Sequence, residues 1–343
     1  MISRRSALAG MGGLSLSACV PSKVVSTPAS ADPGLSVEVF APELRDVIDP
    51  SAYFETLSVG YQWSEGPTWD RERETLYFTD VPQNKAFQWR PNEAVKVFLD
   101  PSGSAETEGF REPGANGLWY AADGSLLICN HGHRAVERMD LSTGQVRPLV
   151  TTYNGAAFNS PNDLVQARDG TIYFTDPPYG LDGLDASPLK QQDANGVYRV
   201  DVDGTVTRIV SDMTFPNGIA LSPGEDVYYV SQSDPKAPHV RAFALGSNGE
   251  AISERIIFDA SPFMRDDAPG LPDGMAICVT GEIFVTGPGG VFVLSADGTP
   301  LGRLRTGRAT ANCAFGEDGR SLFITASDRL LKVRAKVPGV QWS

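Results

Sequence analysis

The feature that most constrains the fold is a unit that recurs six times along the 343 residues. In its third copy, Asn162 precedes a short apolar run, an Asp-Gly turn at 169–170, and the run 171–176, which is rich in β-branched and aromatic residues. This order predicts two antiparallel strands joined by a tight turn. Each unit opens with a polar residue, here called its anchor. The six anchors are Glu65, Asn116, Asn162, Asn217, Asp273 and Asn312.

The sequence between successive anchors repeats as well. Successive anchors lie roughly 40 to 55 residues apart, a spacing typical of propeller blades. A third and a fourth strand follow within each unit, as at 196–200 and 206–210, and helical periodicity is almost absent. The sequence therefore predicts an all-β fold, a six-bladed β-propeller of four-stranded antiparallel blades. A β-sandwich also contains many short strands, but it would not repeat one polar anchor six times.

The ends of the chain predict how the ring closes. In every later unit the fourth strand directly precedes the next anchor, and residues 53–59 stand in that relation to Glu65. We therefore expect this N-terminal strand to be the outermost strand of the last blade, whose inner strands lie around residues 330–333. Such closure would hide sheet edges. The single propeller domain is expected to span residues 36–343.

The first residues read as an export signal. Residues 1–18 contain a twin-arginine-like start at Arg4-Arg5 and an apolar run, and Cys19 completes a bacterial lipobox. We expect a signal peptide over 1–18, acylation of Cys19 and a flexible tether over 19–35. The alternative is an ordinary cleaved signal with a chance cysteine. The prediction is an exported, periplasmic lipoprotein that touches the membrane only through its lipid anchor.

Composition excludes several functions. The net charge of −13 and the lack of a basic stripe argue against nucleic-acid binding. Cys129, Cys278 and Cys313 lie in apolar runs without a CxxC pair, so we expect buried small side chains rather than a cysteine-based zinc site. Serine-hydrolase, P-loop, zincin and dinucleotide motifs do not occur in a supporting context.

The anchors point to a cation. Because the first strand of each propeller blade lines the central channel, equivalent anchors should form a ring of oxygen-bearing side chains, with no Lys or Arg among them. Two converging carboxylates are costly to bury without a counter-charge. A hard divalent cation supplies one, and oxygen-only ligation favours Ca²⁺. The alternative is that these residues only solvate a water-filled tunnel or cap turns.

Several of these motifs resemble those of the gluconolactonase/regucalcin (senescence marker protein) family of sugar lactonases, and bacterial gluconolactonases above all. The resemblance runs from about residue 53 to the C-terminus. Its motifs are Ser64-Glu65-Gly66-Pro67, Asn162-Asp163, Phe215-Pro216-Asn217-Gly218, Pro272-Asp273-Gly274 and the run at 174–181. It implies a six-bladed propeller with one divalent cation held by Glu65, Asn162, Asn217 and Asp273. Ca²⁺ is the first expectation, with Zn²⁺, Mn²⁺ or Mg²⁺ as alternatives.

The resemblance also implies a small-molecule sugar lactone as substrate. A lactone is a cyclic ester, and a cation with open positions can polarise its carbonyl and stabilise the developing negative charge. Asp273 is the candidate catalytic residue, as the base or as the group that orients water. A metal-bound carboxylate is a weak base, so its role could be ligation alone.

Four residues are candidates for substrate contact: Asn116, His131, Tyr179 and Asn162 itself. His131 follows the second strand of the second unit, and a histidine at a strand end is often only hydrogen-bonded or solvated. Tyr179 opens the inserted loop 179–195, which is either a lid or begins as a rigid Pro-Pro turn. Asn312 is expected to be structural. Asp163 is expected to hold the ligands in place rather than to bind the cation itself.

Two other functions remain open from the sequence. One is a phosphotriesterase-type hydrolase on the same propeller. The other is a non-catalytic propeller, in which a cation stiffens the channel and one face binds a partner.

Overall fold

The computed structural model describes residue 32 and residues 34–246 and 249–342. Residues 1–31, with the expected signal peptide, Arg4-Arg5 and Cys19, lie outside the described residues, as does most of the expected tether. No helix in the described part is long and apolar enough to cross a membrane.

The described chain is almost entirely β-structure, built as six antiparallel blades. Two strands precede the first blade: β1 (Ser36–Val39) and β2 (Phe54–Val59). Blade one comprises β3 (Ser64–Asp70), β4 (Thr75–Asp80), β5 (Lys85–Trp89) and β6 (Lys96–Leu99). Blade two comprises β7 (Ala115–Tyr120), β8 (Leu126–Asn130), β9 (Ala135–Met139) and β10 (Val146–Val150). A small hairpin follows, β11 (Thr152–Tyr153) and β12 (Ala156–Ala157).

The other blades repeat this order. Blade three comprises β13 (Leu164–Gln166), β14 (Ile172–Asp176), β15 (Gly196–Val200) and β16 (Val206–Val210). Blade four comprises β17 (Pro216–Leu221), β18 (Val227–Gln232), β19 (His239–Leu245) and β20 (Ala251–Asp259). Blade five comprises β21 (Met275–Ile277), β22 (Ile283–Gly287), β23 (Gly290–Leu294) and β24 (Pro300–Arg305). Blade six contains β25 (Asn312–Gly316), β26 (Ser321–Ala326) and β27 (Arg329–Arg334). The six-bladed propeller is confirmed.

Helices are few and short in the described residues. The α-helix α1 covers Leu44–Val47, and 3₁₀ turns cover Leu184–Ala186, Ser261–Phe263 and Val340–Trp342. Leu44 and Val47 of α1 are buried in the core between blades five and six.

The predicted closure of the ring is confirmed. β2 pairs antiparallel with β27, with Phe54 opposite Val333 and Val59 opposite Arg329. The N-terminal strand is therefore the outer strand of blade six. A second strand was not foreseen: β1 pairs with β24 and makes blade five five-stranded. Its Glu38 carboxylate forms an ion pair with Arg303, 2.7 Å from Nη2 to Oε2, which helps to fix this edge.

Apolar side chains fill the gaps between neighbouring blades. One buried cluster lies between each adjacent pair in the described structure, including a cluster of Trp69, Phe78 and Phe323 that joins blade six to blade one. Trp69 stacks on Phe323 with ring centroids 5.6 Å apart. Both faces of each blade are thus buried, as stacked sheets require. Cys129, Cys278 and Cys313 are free and buried, as expected.

The Asp-Gly turns fold as their chemistry dictates. In the turn before β14, Asp169 Oδ1 accepts a hydrogen bond from Thr171 N at 2.8 Å, and Gly170 has a φ of +94°. The carboxylate stabilises the turn, and glycine adopts the left-handed conformation without a Cβ penalty. Asp203 and Gly204 repeat both features.

Candidate metal centre

The anchors lie where each first strand begins, and all six are buried. Glu65, Asn116 and Asn217 lie within β3, β7 and β17, and each lies at or inside a point where the strand pairing shifts register. Asn162 and Asp273 immediately precede the ladders of β13 and β21. An irregularity at this point releases the anchor from regular strand geometry, which is how bulges re-aim side chains at functional sites.

A hydroxyl group on each of three second strands holds the next anchor. Thr79 Oγ1 donates to the carbonyl of Asn116 at 3.1 Å, and Thr175 Oγ1 donates to that of Asn217 at 2.6 Å. Ser231 Oγ donates to the carbonyl of Asp273 at 2.7 Å. The repeated hydroxyl position therefore ties neighbouring blades together at the ring.

In β4 and β14, an aspartate directly follows the threonine that donates this hydrogen bond. It holds the segment that precedes the anchor of its own blade. Asp176 accepts hydrogen bonds from the backbone N–H groups of Asn159 and Ser160, both at 2.8 Å. Asp80 does the same for the N–H groups of Gln62 and Trp63, at 2.9 and 3.2 Å. The Thr-Asp pair at the end of these strands thus has two structural roles, one toward each side.

Three amide side chains form a chain of hydrogen bonds along the ring. Asn116 Nδ2 donates to Asn162 Oδ1 at 2.7 Å, and Asn162 Nδ2 donates to Asn217 Oδ1 at 2.5 Å. Asn217 Nδ2 donates in turn to Ser233 Oγ at 2.9 Å. The structure therefore brings the anchors of blades two, three and four into direct contact. Each amide oxygen that accepts one hydrogen bond keeps a second lone pair for another partner.

Burial and mutual repulsion disfavour the ionised form of the carboxyl groups around the ring. Burial raises the pKa of Glu65 to about 8, and the charge of Asp163 adds to the effect. Burial, followed by the charges of Glu65 and Asp163, raises the pKa of Asp273 well above its usual value. Burial also raises the pKa of Asp163 to about 7. These carboxyls lie close enough to disfavour one another's ionised form, and a bound cation would relieve that repulsion.

Two oxygens of the ring are buried without a hydrogen-bond partner: Oδ1 of Asp273 and Oδ1 of Asn116. A buried oxygen in this state is costly unless a ligand satisfies it. The donor set of Glu65, Asn162, Asn217 and Asp273 offers only oxygen atoms, which fits a hard divalent cation such as Ca²⁺. Residues 34–246 and 249–342 contain no group of three or more His, Cys, Asp or Glu side chains arranged to hold a metal. The expected set does not need one, because two of its four ligands are amides.

Asn312 has a different environment from the other amides. Its Oδ1 accepts a hydrogen bond from the backbone N–H of Cys313 at 2.8 Å. That bond holds the start of β25, in keeping with the structural role expected from the sequence. Asp163 uses Oδ1 in the same way, toward the N–H of Leu164 at 2.9 Å.

His131 is completely buried behind two of the amides. Its Nδ1 lies 3.2 Å from the carbonyl oxygen of Glu112, which can only accept, so Nδ1 carries the proton. Burial lowers the pKa of His131 to about 4, so the ring is neutral near pH 7. Nε2 is then an acceptor for Asn116 Nδ2, at 3.3 Å. In this structure His131 orients Asn116, and it has no surface open to a substrate.

Tyr179 lies beside the ring. Its side chain stacks on Phe215, with centroids 5.7 Å apart and planes at 17°. The buried hydroxyl has no hydrogen-bond partner. Burial and the charge of Asp273 raise the pKa of Tyr179, whereas Ser233 and Asn217, which lie close to the hydroxyl without a hydrogen bond of good geometry, lower it. The phenol is thus near the anchors of blades four and five, and its contact with a substrate stays a prediction.

The inserted loop that Tyr179 opens is anchored at several points. Gln192 Nε2 donates to the carbonyls of Tyr153 and Ala156 at 3.2 and 2.8 Å. Asn195 Nδ2 donates to the carbonyl of Thr214 at 2.7 Å. Arg111 N donates to the carbonyl of Gly180 at 2.9 Å. These contacts make the loop a fixed wall beside the ring in this structure.

Sequence reasoning missed two residues near the ring, Ser233 and Glu112. Ser233 bridges two blades, since it accepts from Asn217 and donates to the carbonyl of Pro272 at 2.6 Å. Glu112 contributes charge that raises the pKa of both Asp273 and Tyr179. Neither belongs to the repeated unit, so the repeat gave no signal for them.

A cavity of about 360 Å³ extends from Asp163 and Asn312 along the first strands to Val340 and Gln341 near the C-terminus. It is the part of the central channel beyond the anchors and does not include Glu65, Asn217 or Asp273. The unpartnered carboxylate oxygen of Asp273 lies in the ring and not in this cavity.

Comparisons with known proteins identify relatives of this chain. The family model described as SMP-30/gluconolactonase/LRE-like region matches residues 63–328. Gluconolactonase from Zymomonas mobilis is 41% identical over 306 residues, which cover 88% of this chain and 86% of the relative. A pentonolactonase from Haloferax volcanii is 26% identical, covering 77% of this chain and 81% of its own.

A solved structure of a gluconolactonase from Xanthomonas campestris superposes with a TM-score of 0.75 at 32% identity, covering 88% of this chain and 95% of that one. The family match spans all six anchors, from Glu65 to Asn312. The chain belongs to the SMP-30/gluconolactonase/LRE-like family.

Proposed function

We propose that this chain hydrolyses a sugar lactone of the gluconolactone type to the aldonic acid, in a reaction that depends on a divalent cation, Ca²⁺ first of all. The observation that carries this is the buried, unpartnered Oδ1 of Asp273, in a ring with Glu65 and the Asn162 and Asn217 amides. Relatives named gluconolactonase and pentonolactonase support the substrate class.

Four residues would hold the cation: Glu65, Asn162, Asn217 and Asp273. When bound, it would supply positive charge that polarises the lactone carbonyl and favours deprotonation of water. The amide chain from Asn116 to Ser233 fixes the orientation of Asn162 and Asn217, so that their oxygens need not reorganise. His131 fixes the first member of that chain.

Asp273 has the free oxygen that the reaction needs. Hydrolysis adds water to the carbonyl carbon and breaks the bond to the ring oxygen, and a proton must pass from the water to that leaving oxygen. Oδ1 of Asp273 is unpartnered and can accept this proton or orient the water. Ligation alone is the other role open to this residue.

Removal of the metal tests the proposal. Hydrolysis of D-glucono-1,5-lactone, followed by pH-stat with the uncatalysed rate subtracted, is expected to fall at least about 100-fold after chelation. Readdition of Ca²⁺, Mn²⁺, Zn²⁺ or Mg²⁺ one at a time should restore it and rank the ions. Turnover that survives thorough chelation would rule out metal dependence.

The same assay separates the alternative functions. A preparation that hydrolyses an organophosphate but no lactone would be a phosphotriesterase-type enzyme. A preparation that hydrolyses neither, although it binds Ca²⁺, would be a binding module.

We also propose that the chain is exported and tethered to a membrane through Cys19, on the strength of the twin-arginine-like start and the lipobox. In a bacterial host, the wild-type protein is expected in the membrane fraction and the Cys19→Ser variant in a soluble one. A variant that remains membrane-bound would exclude the lipid anchor.

A further inference from the structure

Glu112 lies in the segment between β6 and β7, whose backbone is held from two sides. Its N–H donates to the carbonyl of Gly180 at 3.3 Å, next to the bond from Arg111 N at 2.9 Å. Its own carbonyl accepts from His131 Nδ1 at 3.2 Å. The backbone of Glu112 is therefore fixed between the inserted loop and the histidine that supports the amide chain.

The side chain of Glu112 has little compensation for its burial. It is only 16% exposed, and its ion-pair partner is Arg111 Nη2, 3.1 Å from Oε1, on a side chain that is 53% exposed. An ion pair with so exposed a partner contributes little. Burial accordingly raises the pKa of Glu112. Stability alone does not explain a carboxylate at this position, since its desolvation costs free energy that the pair recovers only in part.

The segment that carries Glu112 lies beside the ring, because its backbone contacts Gly180, which follows Tyr179, and His131, which contacts Asn116. The charge of Glu112 acts on Asp273, an anchor of blade five, and on Tyr179, in the inserted loop. Both effects agree with the position that the backbone contacts give to Glu112, beside Tyr179 and the ring. Glu112 is not one of the anchors and is not needed as a ligand.

The ligand for such a group must bring hydroxyls and no negative charge. A carboxylate accepts hydrogen bonds from sugar hydroxyls, and bonds to a charged acceptor are stronger than neutral ones. The same negative charge repels a phosphate or carboxylate group placed beside it. A neutral lactone meets both conditions, and the aldonate formed on hydrolysis is an anion that this charge disfavours.

We infer that Glu112 is a specificity residue that binds hydroxyl groups of a neutral, unphosphorylated sugar lactone. This rests on the proposed lactonase function and adds a residue, outside the ring of anchors, that contacts the hydroxyl groups of the substrate.

The test compares two lactones in one assay. Glu112→Ala is expected to lower kcat/KM for D-glucono-1,5-lactone by at least about 10-fold, mostly through KM, because a hydrogen bond to a charged group is lost. The rate with δ-valerolactone, which has no hydroxyls, should change less than about twofold on the same argument. Glu112→Gln, which keeps the shape and one acceptor, should lie between the two. Glu108→Ala, an exposed residue of the same segment, is the matched control and should match wild type.

A binding measurement separates this inference from the proposed function. Titration calorimetry with D-glucono-1,5-lactam, which is not hydrolysed as an ester, should show at least about 10-fold weaker binding to Glu112→Ala. Weaker binding without any wild-type lactone turnover would overturn the function and leave the hydroxyl contact standing. Equal losses on both lactones, or unchanged lactam affinity with normal turnover, would overturn the role of Glu112.

Discussion

The Asp273→Ala variant is expected to lose at least about 1000-fold in kcat/KM for D-glucono-1,5-lactone, the scale of losing a group that acts on developing charge in the transition state. Asp273 combines two features: a buried unpartnered oxygen, and a position where the charges of Glu65 and Asp163 already act on it. Removing the side chain takes away a proposed ligand and the candidate proton acceptor together. The measurement is pH-stat hydrolysis at several Ca²⁺ concentrations.

Asp273→Asn distinguishes the two roles that the residue could have. Asparagine can still ligate, as Asn162 and Asn217 are expected to do, but it cannot accept the proton. If Asp273 only ligates, excess Ca²⁺ should restore most of the rate of Asp273→Asn. If Asp273 is the base, Ca²⁺ should bind and the rate should stay low. Direct calcium titration by calorimetry reads out binding independently of turnover.

Asn312→Ala is the matched control on the same ring. Asn312 Oδ1 is engaged by the N–H of Cys313, and its side chain also lowers the pKa of Glu65 and Asp163. Its loss should therefore weaken the start of β25 and disturb a neighbour of the site without removing a ligand. We expect a lower melting temperature and a rate within about 10-fold of wild type, because one structural hydrogen bond is worth about 1 kcal/mol. A loss as large as that of Asp273→Ala would contradict the assignment of four ligands.

The fold followed from the sequence because one unit repeats, and each copy confirms the others. The anchor, the Asp-Gly turn and the strand pattern recur, so the strand order and even the closing strand β2 could be predicted. Strand β1 could not, because it carries no anchor and adds to a blade that is already complete. Its position depends on contacts such as Glu38 with Arg303, which are distant in sequence.

The site was predicted only as far as it belongs to the repeat. Glu65, Asn116, Asn162 and Asn217 are anchors, and their common position on the blades placed them together. Whether these side chains ligate or contact substrate stays a prediction. The burial of His131 and the proximity of Glu112 to the ring arise from loops that differ in every blade. Loop conformation is set by tertiary packing rather than by the local sequence pattern.

Glycine follows four of the anchors, and the structure explains why at Gly218. A Cβ added there would lie 2.2 Å from the carbonyl oxygen of Asp273 and 2.7 Å from the Cα of Gly274. Both are backbone atoms that cannot rotate away. Ser231 joins the same two strands, accepting from the N–H of Gly218 at 2.8 Å and donating to the carbonyl of Asp273. Only glycine lets blades four and five approach this closely at the ring.

Gly218→Ala is therefore expected to lower the free energy of unfolding by about 3 kcal/mol, at the upper end of the usual cost of overpacking. Because the blocked contact is the backbone of Asp273, the rate should fall as well, even in the fraction that remains folded. Urea denaturation gives the first quantity and pH-stat the second. The control is Gly204→Ala, in a surface turn where an added Cβ meets nothing within 4 Å and only the φ of +87° is unfavourable.

Gly204→Ala should lower the free energy of unfolding by about 1 kcal/mol, the penalty of a left-handed conformation, with no effect on activity. If Gly218→Ala costs no more than Gly204→Ala, the close approach of the two blades is not what requires glycine. If Gly218→Ala is destabilised but fully active, the ring tolerates a shift of the Asp273 backbone, and the orientation of that carboxylate is set by its partners rather than by the blade contact. If both the free energy of unfolding and the hydrolysis rate of Gly218→Ala fall, the glycine after the anchor serves the scaffold and the site through a single contact.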